Sequence, residues 1–300
     1  MTDPLTPARK TRDSVVNAIA LFALALSILP VTALAQADRK REVFAYGDVR
    51  IDLISEGSGP LVVLLPSRGR DSEDFDAVAA GIARAGFRVL RPQPRGAGKS
   101  AGPMKGLTLH DFARDVAGTI RHDGGGPAVI AGHAFGNWVA RMTAVDYPEL
   151  VRGVVIIAAA AKAYPAGFEG AKELSAAVRK AGDPKLPAEE RLTYLRMAFF
   201  APGNDASVWL SGWHPEVDEA QFEAGRATKQ SEWWSGGKAP LLDLQAGLDP
   251  FKPRSMRNEI PDEIGPRASV IVIPNASHAL VPEQPAAVVD AIVGWMRKLP

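Results

Sequence analysis

Residues 127–138 read PAVIAGHAFGNW, an apolar run that passes through Gly132-His133-Ala134-Phe135-Gly136 into a helical pattern. Glycines at this spacing, between a strand and a helix, suit a tight turn that lifts its central residue out as a nucleophile. The chain is strained and crowded in such a turn, and the flanking positions must lack side chains. The helix that follows would aim its first N–H groups at a developing oxyanion. Yet position 134 is alanine, which has no atom to attack with. Ser67, in the loop after an earlier apolar run, is a candidate substitute, although loop serines mostly cap or turn. Arg68, Arg70 and Asp71 follow it and form a polar stretch. His110 and His122 read as surface residues, and His133 as a passive member of the turn. No His/Asp/Glu spacing suggests a metal. No glycine-rich turn follows the first buried strand as a dinucleotide site requires. There is no cysteine, which excludes disulfides, thiolate sites and thiol nucleophiles. Neither a cofactor nor a metal is expected.

The elements that would carry this turn are legible from hydrophobic period. Residues 41–57 alternate apolar and polar around Gly47-Asp48, as an antiparallel hairpin does. The continuous apolar run at 61–66 reads as a strand buried on both faces, and the short apolar runs at 87–92, 127–131, 153–160, 240–245 and 268–273 read as further strands. Helical patterns occupy 73–86, 107–121, 137–147, 254–264 and 283–298. This alternation predicts an α/β protein with a mostly parallel sheet covered by helices on both faces. The rhythm breaks over 161–239, which has helical pieces but no buried strand. Four of the six tryptophans fall there: Trp209, Trp213, Trp233 and Trp234. An insertion inside a continuing sheet pattern reads as a lid. Its candidates for contact with substrate are Trp213, His214 and Trp234. Trp233 and Trp234 are adjacent and cannot both face inward on a regular element.

The chain resembles the α/β-hydrolase superfamily, in its lidded esterase, peroxidase-like and C–C hydrolase group. The resemblance spans about residues 41–300. It rests on five segments in order: VVLLPSRG (62–69), RPQPRGAGKS (91–100), GHAFG (132–136), LQAGLDPFKP (244–253) and NASHALVPEQP (275–285). It implies an eight-stranded sheet with a helical lid. It implies His278 as the base and Asp249 as the acid that orients it. It also implies an oxyanion hole from the backbone N–H groups of Arg68 and Phe135. Two departures matter. The family nucleophile is Ser, Asp or Cys, where this chain has Ala134. The family's His-Gly after the third strand is Pro66-Ser67 here. The chain also resembles a subset of the superfamily whose elbow carries alanine.

The first residues read as an address. Arg9, Lys10 and Arg12 precede an apolar run from Val15 to Leu29, and Ala33-Leu34-Ala35 fits the small-x-small cleavage rule. The run is short of the ~20 residues needed to span a bilayer. Cleavage after Ala35, and a periplasmic or secreted protein, are expected. Taking 35 from 300 leaves 265 residues. The address holds three basic and two acidic residues of the chain's 35 and 34, so 32 of each remain. A neutral remainder without a basic stripe argues against a nucleic-acid partner. No membrane partner is expected after cleavage, and the partner is a small molecule.

The expected function is hydrolysis or cleavage of a small apolar carbonyl compound, such as an ester or lactone, by a His278–Asp249 dyad and an oxyanion hole. Two alternatives stay open: a non-catalytic ligand-binding protein on the same fold, and a serine hydrolase inactivated by an engineered exchange at Ala134.

Overall fold

The computed structural model describes residues 39–164, 168 and 170–300. The address predicted for residues 1–35 lies outside the described residues. The strands are β1 (Lys40–Tyr46), β2 (Val49–Glu56), β3 (Leu61–Leu65), β4 (Arg88–Pro92), β5 (Ala128–His133), β6 (Val151–Ile157), β7 (Leu241–Ala246) and β8 (Ala268–Ile273). They form one eight-stranded sheet in the order β1-β2-β4-β3-β5-β6-β7-β8. The β1–β2 and β2–β4 pairs are antiparallel, and every other pair is parallel. This is the mostly parallel α/β sheet that the strand rhythm predicts.

Alternation along the strands explains the layers. On β3, Leu61, Val63 and Leu65 join one core, and Val62 and Leu64 join the other. The first core is covered by α2 (Leu109–His122) and α3 (Phe135–Asp146), through Phe112, Val116 and Val139. The second is covered by α1 (Asp76–Arg84) and a C-terminal helix, Pro285–Met296, through Val78, Ile82, Val288 and Ile292. Helix α2 starts where the sequence supplies a cap: Asp111 Oδ2 accepts from Thr108 N at 2.9 Å, which satisfies one of the free N–H groups of a helix start. Leu90 is fully buried in the first core. Truncating such a side chain to alanine costs about 2–5 kcal/mol.

Between β6 and β7 lie α4 (Gly170–Ala181), α5 (Ala188–Ala198), α6 (Pro215–Ala227) and α7 (Gln230–Trp233). Helices α4 and α5 share a small core with the segment after them, in which Leu174, Leu195, Phe199 and Trp209 meet, whereas Ala220 and Ala224 of α6 and Trp233 of α7 join the first core of the sheet. After β7 come α8 (Glu259–Ile264), then β8, then α9 (Leu280–Glu283) and the C-terminal helix, α10.

Two differences from the sequence reading bear on the site and its surroundings. Helix α3 begins at Phe135 rather than 137, and β5 runs on to His133, paired with Ile157 of β6. Strand therefore gives way to helix at Ala134 alone. Trp233 and Trp234 are both buried, contrary to expectation. The reason is that α7 is a single four-residue turn and buried Arg141 gives both rings a partner. They hold the Arg141 guanidinium between them, with ring centroids at 4.5 and 4.6 Å.

Candidate active site

The turn between β5 and α3 is as tight as its glycines suggest. A Cβ at Gly132 would collide with the Gly136 carbonyl, and one at Gly136 with the carbonyls of Leu65 and Pro66. Ala134 takes φ 48° and ψ −111°, a sparsely populated region for a residue with a Cβ. Three hydrogen bonds hold it there. Its N–H donates to Ile157 O at 2.9 Å, and its carbonyl accepts from Asn137 N at 3.1 Å and from the Asn137 side chain. Asn137 Oδ1 in turn accepts from Arg141 at 2.5 Å. Burial pushes the Arg141 guanidinium down to about 9. Asn137 was not singled out from sequence, although a polar residue three places after the turn's centre was a visible signal.

Opposite the turn, His278 Nδ1 lies 2.9 Å from Asp249 Oδ2. Asp249 stands in the turn after β7, and His278 in the loop before α9. The second Asp249 oxygen accepts from Phe251 N at 2.8 Å. Both residues are buried. His278 Nε2 has no hydrogen-bond partner among the described residues, and the ring lines a cavity of about 200 Å³ that also borders Ala134.

Arg68 and Phe135 line the same cavity. Phe135 opens α3, so its N–H belongs to the first turn and has no partner within the helix. Gly69 N donates to Gln221 Oε1 at 2.8 Å and Arg70 N to Ser67 O at 3.2 Å. Arg68 N finds no acceptor among the described residues. The Arg68 side chain turns to α6, where its Nε meets Asp218 at 2.7 Å. The Phe135 ring packs edge-on against Phe112 at 5.7 Å.

Ser67 also lines the cavity, and its hydroxyl makes no hydrogen bond among the described residues. Trp213 forms part of the wall. Its indole N–H donates to Trp209 O at 2.6 Å, and the guanidinium of buried Arg70 covers its ring at 4.8 Å. His214 is not in the lining. It borders a separate surface cleft, with Nε2 3.3 Å from Asp71 Oδ2. Trp234 is not in the lining either. Its indole N–H donates to Glu263 at 2.8 Å, and its ring is spent on Arg141. The remaining wall comes from Trp138, Ala160, Val178, Phe199 and Phe251, none of which sequence reasoning named as site residues. Only a three-dimensional neighbourhood distinguishes these from other apolar residues. Among the described residues, no group of three or more His, Asp or Glu side chains is placed to hold a metal ion.

A model of the alpha/beta hydrolase family matches residues 62–291, most of the chain. The chain belongs to the alpha/beta hydrolase family. Within it, the chain is 32% identical over 111 residues to the 2-(acetamidomethylene)succinate hydrolase of Mesorhizobium japonicum, a match covering 37% of this chain and 40% of that one. It is 23% identical over 258 residues to the sn-1-specific diacylglycerol lipase ABHD11 of Mus musculus, covering 79% of this chain and 81% of that one. The matches to the first of these relatives thus span well under two thirds of its length. Among solved structures, an E-2-(acetamidomethylene)succinate hydrolase superposes with a TM-score of 0.70 at 21% identity, over 87% of this chain and all of the other. A thermophilic esterase from Thermogutta terrifontis superposes with a TM-score of 0.68 at 25% identity, over 88% and 99%. The chain therefore shares the fold of these structures.

Proposed function

We propose that this hydrolase-family protein is an exported enzyme that cleaves a small apolar carbonyl compound, an ester or lactone, without a serine nucleophile. One observation carries the reading: the His278–Asp249 pair is intact and its free Nε2 borders the same cavity as Ala134. With no side-chain oxygen at 134, the base acts on water directly. His278 Nε2 takes a proton from water as the hydroxide oxygen bonds to the carbonyl carbon. Asp249 keeps the imidazole oriented and stabilises the cation that forms. The tetrahedral oxyanion is held by the N–H groups of Arg68 and Phe135. The intermediate then collapses, the C–O bond to the leaving group breaks, and His278 returns its proton to the departing alkoxide. The hydrolase names of the relatives agree with such chemistry, and the aromatic wall suits an apolar acyl or aryl group.

Replacing His278 with alanine and measuring rates on a panel of esters and lactones tests this. Loss of hydrolysis supports it, and unchanged rates on every substrate overturn it. A second reading rests on Ala134 itself: a protein that binds such a compound without turning it over. Tight binding with no hydrolysis in either form would favour that reading. Export is tested by sequencing the N-terminus of the secreted protein, which should begin at Gln36.

A further inference from the structure

We infer that His133 is a positioning residue for the base, holding the main-chain carbonyl of His278 through its ring Nε2–H. His133 is the last residue of β5, one place before Ala134, and is completely buried. Its Nε2 lies 2.6 Å from His278 O. A carbonyl oxygen only accepts, so Nε2 carries the hydrogen and Nδ1 is bare. Nδ1 has no partner among the described residues. A single contact therefore sets the tautomer. Burial, and then the nearby His278, push the His133 ring down to about 3, which keeps it neutral.

The same peptide unit is held from its other side. Ala279 N donates to Phe199 O at 2.7 Å, and Phe199 follows α5 in the insertion. The carbonyl of residue 278 is thus tied to the sheet and the N–H of residue 279 to the insertion. The side chain is tied to Asp249. Aromatic rings crowd the imidazole as well, Phe251 at 4.4 Å and Phe199 at 5.8 Å between centroids. With these anchors, Nε2 is left one direction, the cavity. One residue then links both halves of the site: the His133 backbone leads into the elbow, and its side chain sets the base loop.

The inference bears on the hydrolytic reading for its rate consequence, but its first test needs no turnover. In ¹⁵N-resolved NMR of the wild-type protein, His133 should show the neutral Nε2–H tautomer from pH 5 to 8 with a slowly exchanging ring proton. A titrating His133, or the Nδ1–H tautomer, overturns it. His133→Met removes the donor at nearly the same length, and His133→Gln puts an amide N–H back near the Nε2 position. His133→Met should shift the His278 ring resonances and lower kcat at least about tenfold with little change in KM, and His133→Gln should recover most of both. His278 resonances identical in the Met variant and the wild type overturn the inference, as does a Gln variant no better than Met. If the Met variant does not fold, the wild-type tautomer decides. Should His278→Ala leave hydrolysis untouched, the hydrolytic reading falls while the NMR result stands.

Discussion

Lys252 Nζ lies 3.4 Å from Asp243 Oδ2, both of them buried, beside the turn that carries Asp249. Glu259 is 3.2 Å from the same ammonium, and Lys252 N donates to Asp249 O at 3.3 Å. The turn of Asp249, the acid of the proposed dyad, is thus pinned by a neighbour whose ammonium is buried between Asp243 and Glu259. Burial pushes the Asp243 carboxyl up, and the Lys252 charge is the largest opposing influence.

Removing that charge strands a carboxylate in the interior. Lys252→Met should lower unfolding stability by about 3–5 kcal/mol, the usual cost of breaking a buried pair. It should also slow hydrolysis, because the Asp249 turn loses its anchor. Pairing it with Asp243→Leu should recover at least half of the stability, since an apolar replacement of both partners is close to neutral. Glu259 keeps the Lys162 N–H as a partner at 3.0 Å in either variant. Urea melts of the three proteins check this, and a double variant no better than the single one contradicts it.

Ala134→Ser should create a nucleophile where the backbone already presents one. The turn holds its φ of 48° with alanine and asks nothing more of serine. The variant should be labelled covalently by a fluorophosphonate and should give a burst of p-nitrophenolate from p-nitrophenyl acetate, with a rate gain of about 100-fold or more, since the nucleophile dominates triad catalysis. The wild type should show neither label nor burst. An unlabelled variant would mean that His278 and position 134 are not aligned for proton transfer.

The elements that frame the site were legible because each announces itself locally. Six short apolar runs and one alternating hairpin gave the eight strands, and two glycines marked the turn. What was not legible depends on partners far along the chain. His133 looks passive in GHAFG because its acceptor, His278 O, is 145 residues away. Lys252 looks like a surface lysine after Pro250 until Asp243 and Glu259 fold around it. Trp234 was misjudged for a related reason: no local pattern reveals that Arg141, on α3, is buried and takes both tryptophans. Buried charge needs its partner in view before it can be read at all.

Trp213→Ala should act on binding more than on chemistry. The ring forms part of the cavity wall, and no atom of it belongs to the dyad or the oxyanion hole. Its neighbour Trp209 still covers Arg70 at 4.6 Å, so the loop before α1 stays pinned. KM for an aryl ester should rise about tenfold, in line with losing a tryptophan contact to the ligand, with kcat changed far less. Steady-state kinetics check this, and an equal loss in kcat would place Trp213 in the chemistry.

The neutral, buried His133 also sets how the fold answers to acid. Its ring protonates at about 3 in the fold and at the ordinary 6.5 in the unfolded chain. Below pH 6.5 the unfolded chain therefore binds a proton that the native state refuses. Stability is complete above pH 6.5 and falls as the pH drops toward 3. At about 1.4 kcal/mol per pH unit, this one group removes about 2 kcal/mol between pH 6.5 and 5. His133→Gln has no such proton to take up. Urea melts at pH 7 and pH 5 should show a loss in the wild type that exceeds the variant's by about that amount. Equal losses in the two proteins would mean that His133 is protonated in the fold, and its Nδ1 would then have to find an acceptor.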